Sequence, residues 1–323
     1  MVSIKDHPLA RACFSLALVL LLGAVFNADG TFFQWATQRD MLRQVSVYGI
    51  LACGMTLVII AGGIDLSVGS ILGLSAVVFS MLSIHRGTSD IAAIAVTLLL
   101  GTACGLVSGG VIARFRVQPF VATLAMMVFA RGLAKLVSGG EKVSTAVQQA
   151  DGTYQYVATP HLYDVLGARM AGDNIAVVTV ILSVCLVAAW VLLAHTPWGR
   201  QLYAVGGNEE AALYAGIPVG RTKLLAYGLS GLCCAIAGIC QAGQELQGDP
   251  EAGATYELTA IAMVVIGGTS LQGGKGSIWL TVLGVLIIGN LEKILSINAV
   301  GEETRLMLTG AIILAAVLFQ RGT

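Results

Sequence analysis

The sequence predicts an all-α polytopic membrane protein of about ten transmembrane helices, with both termini cytoplasmic. Three observations predict it. Of 323 residues, 56% are hydrophobic and 11% charged, against about 25% charged in an ordinary soluble domain. Apolar runs recur at the length of about 20 residues that carries a helix across a bilayer. Basic residues gather in alternate loops, as they do on the cytoplasmic side of a membrane. The whole chain, residues 1–323, reads as one transmembrane domain.

In order, the segments fall at about 9–26, 45–62, 67–84, 91–112, 118–137, 175–194, 224–243, 257–272, 277–296 and 305–320. Lys5 and Arg11 precede the first. No small-x-small site follows Phe26 before the polar Asn27–Gly30, so this run is expected to stay as an uncleaved helix. Between the second and third segments stands Gly62-Gly63-Ile64-Asp65-Leu66-Ser67-Val68-Gly69, placed at or near the cytoplasmic side. A carboxylate set among apolar helices is costly and is kept for a reason. Three readings of Asp65 are open: a cap on the next helix with Ser67 helping, a lining of the solute path, or a proton relay.

Gly101, Gly105, Gly109 and Gly110 suit the fourth segment to close helix packing. The fifth carries Phe120, Thr123 and Met127 at helical spacing, where they line a pore or pack a core. Arg131 and Lys135 follow one turn apart on a shared face. Lys135 can snorkel outward; Arg131 is deeper, facing an acid, a water-filled path or the solute. Asn290 interrupts the ninth segment and is a further candidate for the path.

The longest outer loop, about 138–174, holds Glu141, Asp151, Asp164 and Asp173 against Lys142 and Arg169. The other outer segment, 244–257, reads QELQGDPEAGATYE and has no base. Together they form a platform for an extracytoplasmic partner. Lys5, Arg11, Arg114, Arg116, Arg200, Arg221, Lys223, Lys275 and Arg321 fall on the opposite side with only Asp6, Glu209 and Glu210 as loop acids. That asymmetry fixes the orientation.

The cytoplasmic loop of about 195–223 contains one short helix, Asn208–Ala215. Asn208 is a good N-cap, and Glu209 and Glu210 sit where the helix dipole favours negative charge. Gly216 and Pro218 end it. Ala211 and Ala212 are small, which suits close approach to another surface.

Net charge is zero, so no basic patch points to nucleic acid. The seven cysteines lie in apolar segments without paired spacing, and four scattered histidines suggest no metal site. No cofactor motif is present. In Gly267–Gly276 the residue five before Gly274 is Thr269 and the residue after Lys275 is Gly276, so this is not a phosphate loop. It reads as a cytoplasmic hairpin, and the chain is not expected to hydrolyse ATP.

Glu210-Ala211-Ala212, three residues, then Gly216 resembles the coupling loop of ABC-importer permeases. The Gly62–Gly69 stretch, Gln118-Pro119-Phe120-Val121-Ala122-Thr123-Leu124 and Gly267–Gly276 stand with it in the family's order. Over roughly Leu42 to Gln320 the chain resembles the ribose and monosaccharide permeases, which include autoinducer-2 importers. The resemblance implies a bacterial inner-membrane permease that dimerises with a second copy or a related permease. It implies a docked ATPase subunit, a periplasmic sugar-binding protein and the surrounding lipid as partners. It also implies that Gly207, Asn208, Glu209, Glu210, Ala211, Ala212 and Gly216 form the ATPase contact. The competing readings are an ion-coupled secondary transporter using Asp65 or Arg131, and a membrane enzyme acting on lipid, for which clustered histidines or carboxylates are missing.

Overall fold

A computed structural model describes residues 8–148, 152–301, 303–308 and 310–311. Eight helices among the described residues are long and apolar enough to cross a membrane. They are α1 (Pro8–Val25), α2 (Trp35–Ile60), α3 (Val68–Ser80, continued by a π-helical turn Met81–His85), α4 (Asp90–Phe115), α5 (Pro119–Ser138), α7 (Val177–His195), α10 (Val219–Glu245) and α12 (Ile278–Ile297). The shorter apolar helix α11 spans Tyr256–Gly267. These nine occupy the first nine predicted segments. Of the tenth, residues 303–308 and 310–311 are helical, and the rest lies outside the described residues.

The core is built from α2, α3 and α10, whose side chains are buried on nearly every face. Helices hydrophobic all round belong in such a centre. By contrast α1, α4, α5 and α7 expose Leu21, Leu99, Phe129 and Val184 at the periphery, where hydrocarbon is the solvent. The glycine spacing predicted close packing of α4, and the helix lies directly on α10: a Cβ at Gly105 would stand 2.1 Å from the Tyr227 carbonyl oxygen. Without that approach the two backbones could not pack at this distance.

Helix α2 begins ten residues earlier than hydropathy placed it, because its polar first turns are held outside the apolar run. Arg39 pairs with Asp173 at 3.3 Å, Asp40 with Arg169, and Trp35 Nε1 donates to Asn174 Oδ1 at 2.6 Å. Those partners belong to a hairpin, β3 (Arg169–Met170) and β4 (Ile175–Ala176). The described part of the outer loop is therefore structured. It also holds a hairpin of β1 (Ala146–Gln148) and β2 (Tyr154–Tyr156) and the helix α6 (His161–Gly167), whose buried Tyr163 donates to Ser80 Oγ at 2.9 Å.

Helices α2 and α10 share a design. Each is followed by an irregular break, residues 61–67 and 246–255, and then by a shorter helix, α3 or α11. The chain runs inward then outward through the first pair and outward then inward through the second.

Candidate functional site

Three groups of residues stand out: the cytoplasmic helix pair and the two breaks. The 195–223 loop folds into two helices, α8 (Pro197–Gly207) and α9 (Glu209–Tyr214). Thr196 caps α8, its hydroxyl accepting from Gly199 N. Asn208 caps α9, its Oδ1 accepting from Ala211 N at 2.9 Å. Gly216 takes φ +79° at the far end, so the predicted boundaries of α9 hold to a residue. Prediction missed α8, whose single apolar face (Leu202, Val205) is too short to register in a hydropathy window.

Gly207, Asn208, Glu209, Glu210 and Ala211 are exposed, as is Gly216. Ala212 is not: it is 4% exposed and packs with Val205 and Val219 of its own chain. Its small size serves the internal packing of α9. The large exposed groups of α9 are Leu213 and Tyr214, at 55% and 89%, and neither stood out in the sequence. Lys223 Nζ pairs with Glu209 Oε2 at 2.6 Å, tying α9 to α10.

The helix pair is joined rigidly to the bundle. Gly274 N donates to the Ile60 carbonyl at 2.9 Å, and Tyr203 OH to the Gly276 carbonyl at 2.9 Å. Between them sits Gly206, where a Cβ would fall 1.8 Å from Ile60 O and 2.6 Å from Gly274 N. The end of α2, the end of α8 and the 268–277 hairpin thus meet as bare backbone.

The first break carries Asp65 and Ser67, both fully buried. Asp65 Oδ1 accepts from Ser67 N at 3.0 Å and Ser67 Oγ at 2.5 Å, while Oδ2 accepts from Ser230 Oγ at 2.8 Å. The first two bonds hold the turn that leads into α3; the third pins the break to α10. Thr123 Oγ1 donates to Pro119 O at 2.9 Å and to Ile64 O at 3.4 Å, bringing α5 to the same place. Ser230 lies about 16 Å along α10 from Val219, at 1.5 Å per residue. The break therefore reaches well into the bundle from the cytoplasmic end, deeper than its position between two apolar runs indicated.

The second break is held by α5 and the residues just after it. Arg131 Nη1 donates to the carbonyls of Pro250 and of Ala252, the latter at 2.8 Å. Lys135 pairs with Glu251 at 2.6 Å and Lys142 with Asp249 at 3.0 Å. The Asp249 carboxylate beside it raises the Lys142 ammonium above the ordinary lysine range. Val143 and Gly248 exchange backbone hydrogen bonds at 2.8 Å. Helix α5 thus spans both breaks, with Thr123 at one and Arg131 at the other. On it Phe120 points outward at 53% exposure and Met127 is half-buried. Asn290 stands apart on α12, its amide donating to Leu286 O at 2.8 Å.

A helical bundle with core helices broken inside it and a capped helix pair at one end defines a multi-pass membrane protein. A family model described as "Branched-chain amino acid transport system / permease component" matches residues 39–317. The ribose import permease RbsC of Escherichia coli (strain K12) is 40% identical over 306 residues, covering 94% of this chain and 91% of that protein. RbsC of Bacillus subtilis (strain 168) is 39% identical over 307 residues, 95% and 91% of the two chains. The fructose import permease FrcC of Rhizobium meliloti is 34% identical over 318 residues, 97% and 85% of the two. No solved structure matches. The chain belongs to this family of ABC-importer permeases, among its monosaccharide-type members, and is a multi-pass protein of the bacterial inner membrane.

Proposed function

We propose that this chain is the transmembrane subunit of an ABC importer that carries a neutral monosaccharide, a ribose-like pentose, a hexose or a related polyol such as autoinducer-2, into the cytoplasm. ATP is hydrolysed by a separate subunit. One observation carries the ATP-driven reading: α9 presents Leu213 and Tyr214 to the cytoplasm while its cap and its ion pair to Lys223 hold it rigid. Large exposed apolar groups on a short fixed helix suit insertion into a groove on a partner. The sugar class is supported by relatives of nearly full length, which are ribose and fructose permeases.

Force on α9 reaches the bundle through the backbone junction of Gly206, Ile60 and Gly274, and from there the end of α2 and the Asp65 break. Two permease copies, or this chain and a related permease, flank one path, and a sugar-loaded binding protein docks over the outer loop. The test is reconstitution with the ATPase and the binding protein, assayed with a panel of labelled pentoses and hexoses. Uptake of one monosaccharide that requires ATP supports the reading. ATP-independent uptake, driven by an imposed ion gradient, overturns it.

A further inference from the structure

The second break is not an outer loop. Helices α3 and α10 run side by side in the same direction: Asp65 meets Ser230, and a Cβ at Gly238 would touch Leu72 O and Ser75. Gly69, three residues before Leu72, is level with about residue 235 of α10. Gly253 lies against Gly69 so closely that a Cβ there would fall 2.0 Å from the Gly253 carbonyl oxygen. Glu257 Oε2 would stand 2.8 Å from the same Cβ. The chain therefore descends about 15 Å below the outer end of α10 before α11 starts. In a hydrocarbon core of about 30 Å, that is near mid-depth, about 7 Å along the axis from Asp65.

At this depth Ala254 and Thr255 are exposed, and Glu257 and Arg131 are partly so. Lipid does not accept irregular backbone or charge there: such segments are buried in protein or line water. The Lys135–Glu251 pair above them is about half exposed on both sides, and sealing it against a dry partner surface would strip water from both charges. Thr255 also holds φ +68°, a rare conformation for a β-branched residue that persists where the surroundings impose it.

We propose that the re-entrant segment Leu246–Thr255 forms one wall of the sugar path, with Ala254, Thr255 and Glu257 facing water. Arg131 is a positioning residue: it holds the segment at depth through two backbone carbonyls and leaves the sugar to others. A neutral, hydroxyl-rich solute exchanges hydrogen bonds with a threonine hydroxyl and a carboxylate at no cost in charge, whereas an anion is repelled by Glu257. This inference rests on the permease reading above.

The test uses the assembled transporter in proteoliposomes, with Ala254→Cys in a cysteine-free background. An impermeant methanethiosulfonate added outside is expected to modify it and to stop sugar uptake. Val184→Cys, on the exposed apolar face of α7, is expected to stay unmodified. Thr255→Val is expected to raise the KM for the sugar about fivefold, as loss of one hydrogen bond does, with the ATPase still co-purifying. The inference is overturned if Ala254→Cys is unreactive in both nucleotide-free and ATP-bound complexes while Tyr156→Cys in the outer loop reacts, or if its modification leaves uptake unchanged. Uptake by the unmodified complex is measured first. If it moves no monosaccharide, the sugar reading fails alone, and Ala254 reactivity still decides where the water path runs.

Discussion

Asp65 shows how a single side chain can be forced into the interior by the bonds it closes. Its carboxylate takes three hydrogen bonds, two from Ser67 in the turn before α3 and one from α10. Asp65→Asn keeps an acceptor for Ser67, and its amide can donate to Ser230 Oγ. Asp65→Ala strips acceptors from two buried hydroxyls and one backbone amide, at about 1–3 kcal/mol for each group left unsatisfied. We expect Asp65→Asn to assemble and to transport at close to the normal rate, and Asp65→Ala to lower the thermal unfolding midpoint in detergent by several degrees. Both are read by size-exclusion chromatography after heating. Equal midpoints for Ala and wild type would mean that the carboxylate does not hold the turn. Loss of transport by a well-assembled Asn variant would point instead to proton transfer.

At the scale of elements, the contacts that matter are made by backbone. Gly206 and Gly207 are adjacent on α8, yet a Cβ at Gly206 strikes Ile60 O at 1.8 Å and one at Gly207 meets nothing within 4 Å. Gly206→Ala is expected to lose most of the assembled complex, and Gly207→Ala to express and fold normally. Matched yields for the pair would dissolve the junction between α8 and α2. The second break answers to α5: Arg131→Met removes the donors to Pro250 and Ala252 and should cut transport at least tenfold while insertion continues. Transport at the normal rate would show that the ion pairs of Lys135 and Lys142 suffice.

The helices themselves were legible, because apolar runs of bilayer length and glycine spacing on α4 are properties of local sequence. The cap of α9 was legible for the same reason: Asn208, Gly216 and Pro218 act on their own neighbours. The depth of residues 246–255 was not. A stretch reading QGDPEAGATYE has the composition of a surface loop, and only Arg131, 119 residues away from Pro250 in sequence, and the glycines of α3 draw it inward. Ala212 was misjudged for a related reason. Its size signals a close contact, and nothing local says whether that contact is with Val205 and Val219 or with another protein.

At the scale of the molecule, the path of the chain fixes which surfaces meet which partners. The hairpins and α6 of the outer loop lie at one end of the bundle, and α8 and α9 at the other, with α7 and α10 running between. Basic residues such as Arg200, Arg221 and Lys223 cluster at the α9 end, which places it in the cytoplasm. Nine crossings are present among the described residues, counting α11. From a cytoplasmic start, nine would leave the chain outside. The run Leu306–Phe319 is apolar and ends at Arg321, and a tenth crossing would return the C-terminus to the basic side. Reporter fusions after Thr323 test this. A fluorescent protein that matures only in the cytoplasm should be bright there, and alkaline phosphatase, active only in the periplasm, should be silent. Tyr214→Cys should resist an impermeant reagent in intact cells and react once the membrane is opened, while Tyr156→Cys should react at once. Active phosphatase at the C-terminus with this same labelling would leave the chain with nine crossings and would remove the last segment from the bundle. Reversed labelling at Tyr156 and Tyr214 would turn the whole molecule over and take α9 out of reach of any cytoplasmic ATPase.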